Sequence, residues 1–325
     1  MIVVTGGAGF IGSALIWKLN QMGRSDIIVV DHFTDNEKYK NLIPLKFSDV
    51  MDRAEFAEEV DNGFLKEYKV ETLYHLGACS STTQLDMGFL LRNNYEYTKF
   101  LCNSASLSGV RFIYASSAAT YGNGSNGYSD DESKIEQLRP LNAYGYSKQL
   151  FDVWAKNNGY LKEIVGLKFF NVFGPNEYHK GDMRSIVNKS FDLIKEKGFA
   201  KLFKSYSSSY PDGGQRRDFV YVKDVVDMTI YFGENPSLCG IYNVGTGKAN
   251  SFNDFIKPVF KAMNIPEKIE YFEMPEVLRG KYQDFTQADM SKIKKAGYNK
   301  PPTDISDAVI DYVSNYMNTP EPYLK

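Results

Sequence analysis

An α/β fold built on a doubly wound parallel sheet is the architecture that this sequence predicts. Short apolar runs alternate with amphipathic helical patterns through the first half of the chain, which is typical of strands joined by crossover helices. The first run, residues 1–4, is followed at once by Gly6, Gly9 and Gly12, a spacing typical of a strand that turns into a helix. Parallel strands in such a fold bind their ligand at their carboxyl ends.

The later elements follow in the same alternating order. Strand-like apolar runs lie at residues 27–31, 73–76, 110–114 and 164–170. Helical patterns between them cover residues 12–22, 53–66, 89–107 and 144–158. Beyond residue 170 the pattern loosens, and residues 218–222 and 240–244 are expected to return to the sheet. This order predicts a Rossmann-type domain.

Two lobes are expected from a chain of 325 residues. Residues 1–170 and 218–248 should form the dinucleotide-binding Rossmann domain. Residues 171–217 and 249–325 are rich in loops and prolines, and they should form a smaller, C-terminal substrate-binding lobe.

The composition argues against several classes of protein. A net charge of −2 offers no basic surface for nucleic acid and no polybasic membrane anchor. No apolar run reaches the roughly 18–20 residues that cross a bilayer, and the first strand starts at Met1, where a signal peptide would stand. Cys79, Cys102 and Cys239 are too few for a disulfide framework. We expect a cytoplasmic protein with no nucleic-acid or membrane partner.

A metal site is not expected. The chain holds three histidines in all. His32, His75 and Cys79 do not have the close spacing of a ligand cluster.

The glycine spacing predicts a phosphate-binding turn. Gly6, Gly9 and Gly12 would permit a tight turn, a close approach of the backbone to a pyrophosphate, and close packing of helix on strand. The N-terminus of the following helix offers N–H groups and the positive end of its dipole to the phosphates. The predicted ligand is therefore a dinucleotide.

Tyr144 and Lys148 point to redox chemistry at that dinucleotide. They are four residues apart, so on a helix they share one face. The pKa of a phenol is normally near 10, and a neighbouring ammonium together with a positive nicotinamide would lower it. Tyr144 would then exchange a proton with a substrate hydroxyl while hydride passes to or from the nicotinamide. Lys148 would also hydrogen-bond the nicotinamide ribose.

A pair of serines, Ser116 and Ser117, follows the fifth predicted strand. We predict that Ser117, in preference to Ser116, hydrogen-bonds the same substrate oxygen as Tyr144. A turn serine that bonds its own backbone is the alternative interpretation. No Asp-Glu pair follows Ser117, which argues against a sugar dehydratase, because elimination of water needs an acid and a base there.

Asp31, at the end of the second strand, bears on which nicotinamide cofactor binds. A carboxylate at this place typically holds the 2′-hydroxyl of the adenine ribose and favours NAD. Lys38 and Arg53 lie nearby in the sequence, and their charges would neutralise the 2′-phosphate of NADP. These residues alone leave both cofactors open.

Further motifs extend over nearly the whole length, at residues 4–13, 77–83, 114–122, 144–148, 170–172, 179–181, 217–222, 282–283 and 285–289. On these motifs the chain resembles the extended short-chain dehydrogenase/reductase family, and within it the family of ADP-L-glycero-D-manno-heptose 6-epimerases. The first and fourth motifs are shared by the whole superfamily. The segments at 77–83 and 285–289 point to the epimerases much more narrowly.

The resemblance implies an isomerase that interconverts ADP-D-glycero- and ADP-L-glycero-D-manno-heptose at C6 by transient oxidation with bound NADP, supplying heptose for the lipopolysaccharide inner core. Tyr144, Lys148 and Ser117 match the catalytic residues of the family, and Lys180 matches a lysine that serves as the other acid/base. The sequence does not indicate which of Tyr144 and Lys180 serves which epimer. A homo-oligomer, a pentamer in this family, is also implied.

The resemblance also implies the binding residues, with NADP favoured over NAD. The residues implied for the cofactor are Gly6, Gly9, Phe10, Ile11, Gly12, Asp31, His32, Lys38, Arg53, Leu76, Gly77, Ala78, Cys79, Ser80, Asn93, Lys148, Val172 and Lys180. Those implied for the ADP-heptose are Asn171, Asp182, Lys189, Phe203, Arg217 and Tyr282. Asp182 and Lys189 stand where the family usually has serine and histidine, and the loop at 204–215 is longer than usual. These departures bear on recognition of the sugar or diphosphate, not on the reaction class.

Two alternatives remain. A UDP-hexose 4-epimerase or a sugar-nucleotide reductase would share the fold, Tyr144 and Lys148, and the products formed from ADP-heptose and UDP-galactose separate these hypotheses. A non-enzymatic dinucleotide sensor on the same fold generally lacks the catalytic tyrosine, which this chain keeps.

Overall fold

Thirteen short strands and a set of helices make up the part of the chain that the computed structural model describes, residues 1–33, 37–276 and 283–325. The strands are β1 Ile2–Thr5, β2 Ile27–Asp31, β3 Asp49–Asp52, β4 Thr72–His75, β5 Arg111–Ser117, β6 Val165–Phe169, β7 Asn171–Phe173, β8 Ala200–Phe203, β9 Arg216–Arg217, β10 Phe219–Tyr221, β11 Gly240–Val244, β12 Asn250–Ser251 and β13 Ile269–Phe272. The α-helices are α1 Phe10–Gln21, α2 Arg53–Asp61, α3 Phe64–Glu67, α4 Met87–Leu90, α5 Tyr97–Leu107, α6 Ala143–Asn157, α7 Ile186–Lys197, α8 Val222–Glu234, α9 Phe252–Met263, α10 Ser291–Lys295 and α11 Ile305–Tyr312.

Shorter helical turns connect these elements. They are 3₁₀ turns at Glu37–Asn41, Ala118–Tyr121, Glu132–Gln137, Tyr160–Lys162 and Tyr178–Met183, and π-helical turns at Leu91–Glu96 and Val313–Met317. In the described part of the chain, no helix is both long and apolar enough to cross a membrane.

The central sheet has seven strands in the order β11-β6-β5-β4-β1-β2-β3. Every neighbouring pair in it is parallel. The strand order reverses between β1 and β4, and such a reversal opens a crevice at the carboxyl ends of the strands where ligands bind. The predicted doubly wound α/β fold is confirmed.

Both faces of the sheet are covered by helices, because successive side chains of a strand point to opposite faces. Val4 of β1 belongs to one apolar cluster with Leu15 of α1 and Val226 of α8. Val3, its neighbour, belongs to a second cluster on the other face with Phe151 of α6. Both valines are completely buried, and burial of each side chain contributes about 1.5–3 kcal/mol.

One predicted strand lies outside the central sheet. Residues 240–244 do return to it as its edge strand β11, but β10 pairs with β7 in a separate two-stranded sheet. The reason is Asp218, whose buried carboxylate accepts hydrogen bonds from the N–H groups of Thr246, Gly247 and Ala288 at 2.8, 2.9 and 3.0 Å. Since Thr246 and Gly247 follow β11, these bonds hold the segment beyond the carboxyl end of the sheet.

Two further boundaries differ from the sequence-based expectation. The helix predicted over 53–66 is interrupted after Asp61, and α3 starts after Gly63, which has a φ of +98° that favours glycine. Strand β5 extends to Ser117, so the serine pair belongs to the strand itself rather than to the turn after it.

Helices α7, α9 and α11 pack together beside the parallel pair β8–β13, and we refer to this region as the smaller lobe. Its core is continuous with that of the sheet, because Phe255 of α9 and Val4 of β1 belong to the same apolar cluster. The division of the chain into two lobes at the predicted residues stays a prediction.

Candidate active site

A glycine turn at the carboxyl end of β1 forms the floor of the crevice. Gly6 has a φ of +67°, and a Cβ added there would lie 2.6 Å from the Cα of Gly77. A Cβ at Gly12 would lie 2.1 Å from the carbonyl oxygen of Gly6. Gly9 precedes α1 and has no side chain to cap it, so the N–H groups of Phe10 and Ile11 lie at the positive end of the helix. This cradle fits the pyrophosphate of a dinucleotide.

A second loop, residues 76–80, follows β4 and faces the glycine turn. The N–H of Leu76 donates to the Thr5 carbonyl at 3.1 Å. The N–H of Cys79 donates to Asn94 Oδ1 at 2.8 Å, and Asn94 Nδ2 donates to the Cys79 carbonyl at 3.0 Å. Asn94 also donates to the Ser147 hydroxyl of α6 at 3.0 Å. Gly77, Ala78 and Ser80 are held on the same loop.

Asn94 is a supporting residue that the sequence did not single out. The neighbouring Asn93, which the resemblance implies as a cofactor contact, donates to Asn94 Oδ1 at 3.2 Å. Asn94 lies in the π-helical turn Leu91–Glu96. Such a turn often marks a functional site, but it leaves no spacing that can be recognised in the sequence.

The carboxylate of Asp31, at the end of β2, already has hydrogen-bond and ion-pair partners within the protein. Its carboxylate accepts hydrogen bonds from the N–H groups of Ala8 and His32 at 2.9 and 2.7 Å. Lys38 forms an ion pair with it at 2.5 Å and also donates to the His32 carbonyl. Arg53, at the start of α2, lies 5.7 Å from the ring centre of Tyr97. The structure thus places two cations, Lys38 and Arg53, on the elements that follow and flank the end of β2.

Tyr144 and Ser117 are brought together at the carboxyl end of β5. Helix α6 starts at Ala143, after Asn142 caps it by accepting a hydrogen bond from the Gly145 N–H at 2.8 Å. The Ser117 hydroxyl accepts a hydrogen bond from the Ala119 N–H of the following turn at 3.1 Å, and Ser117 is also close enough to Tyr144 to lower the pKa of its phenol. Ser116 instead donates to Asp152 at 2.8 Å in the interior. The bond to Ala119 is the backbone contact given above as the alternative role, so the contact of Ser117 with substrate stays a prediction.

Burial shifts the pKa values of both Tyr144 and Lys148. It raises the pKa of Tyr144, and the hydrogen bond from Ser117 opposes that rise. Burial also lowers the pKa of Lys148 to about 8, and the charge of Asp152 opposes that fall. In the polypeptide by itself the pKa of Tyr144 is therefore not lowered, because loss of solvent disfavours the phenolate. The lowering predicted from the spacing also requires the positive charge of a bound nicotinamide.

A buried ion pair supports the turn that carries Ser117. Asp152, one helical turn after Lys148, accepts hydrogen bonds from Lys168 Nζ at 2.6 Å and from the Tyr114 hydroxyl at 2.8 Å. Lys168 also donates to the Thr120 hydroxyl at 2.7 Å, and Thr120 donates to the Ser117 carbonyl at 2.8 Å. Asp152 and Lys168 are fully buried, so the network links the catalytic helix to the end of β5.

Lys180 lies on a different element from Tyr144, the turn Tyr178–Met183. Its Nζ lies 5.1 Å from the ring centre of Phe10, the first residue of α1. Burial lowers the pKa of Lys180, and the charge of Glu177 opposes that fall. Asn41 links the glycine turn to the segment just before this turn, because it donates to the carbonyls of Ala8 and Asn176 at 3.0 and 3.1 Å.

A cavity of about 710 Å³ extends from this point into the smaller lobe. Seven of the predicted site residues line it, namely Asn171, Val172, Lys180, Asp182, Lys189, Phe203 and Arg217. Arg217 is largely buried, with its guanidinium 5.8 Å from the ring centre of Phe252. The Phe203 ring lies 4.8 Å from that of Phe272, centre to centre. Tyr282 falls outside the described residues.

The cavity also holds residues that the sequence analysis did not name. Arg184 borders it and donates to the Gly181 carbonyl at 2.9 Å and to Asn188 at 3.0 Å. Gln215 and Gln283 line it as well. The lysine that departs from the family, Lys189, donates to the Asp182 carbonyl at 3.1 Å.

His75, the last residue of β4, belongs to a different environment. His75 is buried between the Thr5 and Thr98 hydroxyls, at 2.7 and 2.9 Å. Burial lowers its pKa to about 3. Within residues 1–33, 37–276 and 283–325, no three His, Cys, Asp or Glu side chains are grouped as metal ligands.

Comparison with known proteins gives the family. Residues 2–245 match the model of the NAD dependent epimerase/dehydratase family. A curated ADP-L-glycero-D-manno-heptose-6-epimerase of Nitratidesulfovibrio vulgaris is 51% identical over 324 residues, with 100% of each chain covered. One of Fusobacterium nucleatum, described by the same name, is 46% identical over 339 residues, again with 100% of each chain covered.

Solved structures agree with these relatives. The crystal structure of a Helicobacter pylori ADP-L-glycero-D-manno-heptose-6-epimerase superposes with a TM-score of 0.81 at 28% identity, covering 97% of this chain and 95% of the other. A UDP-N-acetylglucosamine 4-epimerase of Methanobrevibacter ruminantium has a TM-score of 0.80 at 22% identity over 96% of each chain, which shows the shared fold alone. The chain therefore belongs to the NAD dependent epimerase/dehydratase family and, within it, to the family of the ADP-L-glycero-D-manno-heptose-6-epimerases.

Proposed function

We propose that this protein interconverts ADP-D-glycero- and ADP-L-glycero-D-manno-heptose at C6 by transient oxidation with bound NADP. The observation that supports the proposal is that the two candidate proton-transfer groups lie on different elements of the fold. Tyr144 lies on α6 beside Ser117, and Lys180 lies on the turn after β7 beside the first residue of α1. A simple reductase needs one such group, whereas inversion of a carbon needs a proton handled on each of two substrate orientations.

Tyr144 and Ser117 would handle the C6 hydroxyl in one orientation. The serine fixes the substrate oxygen, and the phenolate form of Tyr144 accepts its proton. A bound nicotinamide supplies the site that takes hydride from C6 and gives it back. Lys148, one turn along α6, favours the phenolate by its charge when it is protonated.

Inversion follows from rotation of the oxidised sugar rather than from movement of the protein. Because C6 also carries C7, its oxidation gives a ketone, and rotation about the C5–C6 bond presents the opposite face of that ketone. The ketone oxygen then points away from Tyr144, so a second group must donate a proton to it as the hydride returns to C6. We assign that role to Lys180, whose ammonium lies 5.1 Å from the ring centre of Phe10, the first residue of α1.

The cavity in the smaller lobe fits the nucleotide part of the substrate. Its volume of about 710 Å³ is in the range of pockets that hold small organic ligands. Arg217, largely buried on its wall, suits the diphosphate, because a guanidinium can bind phosphate oxygens in pairs. Phe203 and Phe272 offer aromatic surface for the adenine.

The environment of Asp31 supports NADP over NAD. Both of its oxygens already accept hydrogen bonds from backbone N–H groups, and Lys38 is paired with it. A carboxylate so engaged is a poor partner for a ribose hydroxyl, whereas Lys38 and Arg53 supply positive charge for a 2′-phosphate. A homo-oligomer and a cytoplasmic location stay predictions.

Protein purified without added nucleotide is expected to release NADP on acid denaturation, because an epimerase must hold its cofactor between the two half-reactions. Lys38→Ala is expected to weaken NADP retention through loss of charge at the 2′-phosphate. Lys40→Ala, which removes a lysine paired with Glu37 on the surface, is the matched control and should retain NADP. Liquid chromatography of the acid extract measures both nucleotides, and finding only NAD would contradict the cofactor proposal.

Conversion of either ADP-heptose epimer in deuterated water is expected to leave C5, C6 and C7 unlabelled, because the hydrogen that leaves C6 returns to C6 directly. Proton nuclear magnetic resonance of the product reads each position. UDP-galactose, run in parallel, should stay unchanged. Deuterium at C5 or C7 would indicate an enolised or eliminated intermediate, and conversion of UDP-galactose without conversion of ADP-heptose would favour the 4-epimerase alternative.

A further inference from the structure

We infer that Glu177 is a positioning residue for Lys180: its buried carboxylate closes the loop that carries the lysine and supplies the negative charge that holds the ammonium there. The inference rests on the role proposed for Lys180 as an acid/base. Glu177 lies one 3₁₀ turn before Lys180, since the Lys180 N–H donates to the Glu177 carbonyl at 3.1 Å.

The carboxylate of Glu177 joins both ends of this loop. It is fully buried. One oxygen accepts from the Ser185 N–H at 2.6 Å, and the other accepts from the Ser185 hydroxyl at 2.6 Å and from the Gly174 N–H at 3.5 Å. Ser185 in turn caps α7 by accepting from the Asn188 N–H at 3.2 Å. The loop between Gly174 and α7 is therefore tied through a single side chain.

The hydrogen bonds from Ser185 and Gly174 alone do not account for an ionised Glu177 side chain in the interior. A buried carboxylate is costly unless a positive charge or strong hydrogen bonds compensate it, and its three donors here are neutral. Burial raises the pKa of Glu177, and the charge of Lys180 is the largest influence that lowers it. Reciprocally, burial lowers the pKa of Lys180 and Glu177 opposes that fall. Each group thus favours the charged form of the other.

Other titratable or charged groups near this loop are His179, Asp182, Arg184, Lys189, Arg217 and Tyr312. Burial lowers the pKa of His179 to about 4, so it is neutral at working pH. Burial raises the pKa of Tyr312 well above its usual value, so it is neutral as well. Asp182 and Lys189 are exposed, and solvent screens charges at such positions. Arg184 and Arg217 line the same cavity, and Glu177 is the charged side chain that favours the ammonium form of Lys180.

Glu177→Gln is the test, because glutamine keeps the size and one acceptor oxygen while removing the charge. The limb of the pH–kcat profile that Lys180 controls is expected to move to lower pH by about one unit, since an ammonium without its counter-charge loses its proton more easily. Ser185→Ala is the matched control. It removes one of the three donors to Glu177 but keeps the carboxylate itself, so it should move the limb less than Glu177→Gln does.

The titration of Lys180 itself gives a readout that does not depend on turnover. In the holoenzyme without substrate, reaction of Lys180 with a small acylating anhydride, followed by mass spectrometry across pH, should show the same shift in Glu177→Gln. Unmoved labelling and an unmoved profile would overturn the inference. A shift in labelling with an unmoved profile would support the inference and instead contradict the acid/base role of Lys180.

A stability measurement covers the case in which Glu177→Gln folds poorly. If Glu177 acts through charge, its replacement destabilises the protein less in a Lys180→Met background than in the wild type, because no buried ammonium is left unpaired. Equal shifts of the unfolding midpoint in the two backgrounds would mean a role in loop packing only, and would overturn the inference.

Discussion

Replacing Tyr144 with phenylalanine is expected to lower kcat for C6 epimerisation by about 10²–10⁴-fold, the usual contribution of a positioned acid/base. The substitution removes the phenol oxygen that Ser117 contacts and leaves the ring in place. Ser116 is not placed to take over the proton, since its hydroxyl donates to Asp152. Binding of cofactor and substrate should change little, so KM should stay close to that of the wild type.

The control for this prediction is Tyr146→Phe. Tyr146 lies two residues further along α6 and is 48% exposed, so losing its hydroxyl should leave kcat unchanged. Nucleotide released on acid denaturation confirms that each variant still holds cofactor. If Tyr144→Phe turned over at a rate similar to that of the wild type, proton transfer by Tyr144 would be excluded.

The parts of this protein that the sequence predicted well are those specified by local spacing. Gly6, Gly9 and Gly12 predicted the turn after β1 because few other residues fit its close backbone contacts. Tyr144 and Lys148 lie on one face of α6 because they are four residues apart, which any helix would ensure. The family, too, followed from motifs that can be recognised one by one.

The parts that the sequence did not predict depend on long-range contacts. Asn94 and Glu177 act through partners on other elements, and nothing in their own neighbourhood distinguishes them from ordinary polar residues. The prediction that residues 218–222 return to the central sheet was wrong for the same reason. The amides that bind Asp218 lie 28 to 70 residues further along the chain. Burial, which raises the pKa of Tyr144 in the polypeptide by itself, was not predicted because it is a property of the whole fold.

Lys168 could have been recognised from the sequence as a buried charge. It stands in the middle of an apolar run that forms β6, a strand buried along its whole length. A charge in such a strand needs a buried partner, and Asp152, on the helix before it, is the carboxylate that meets it. The pair therefore offers the second large expected effect, on stability rather than on kcat alone.

Asp152→Asn is expected to lower the free energy of unfolding by about 3–5 kcal/mol, the usual cost of leaving one partner of a buried ion pair alone. Asparagine keeps the shape and an acceptor for Tyr114, but Lys168 and Lys148 then lie in the interior without the carboxylate that faces both. Lys168→Met should cost less, because Asp152 keeps two hydroxyl donors and the charge of Lys148.

The order of the variants distinguishes the charge effect from a packing effect. Asp152→Asn combined with Lys168→Met should be more stable than Asp152→Asn alone, since the double replacement removes one of the two unpaired ammonium groups. Lys156→Ala, which breaks the more exposed pair with Glu136 at 3.3 Å, should change stability by less than about 1 kcal/mol. Urea unfolding at constant excess of cofactor measures all four variants. A double variant less stable than Asp152→Asn would mean that the network acts through packing, because only a compensated charge can make a second deletion stabilising.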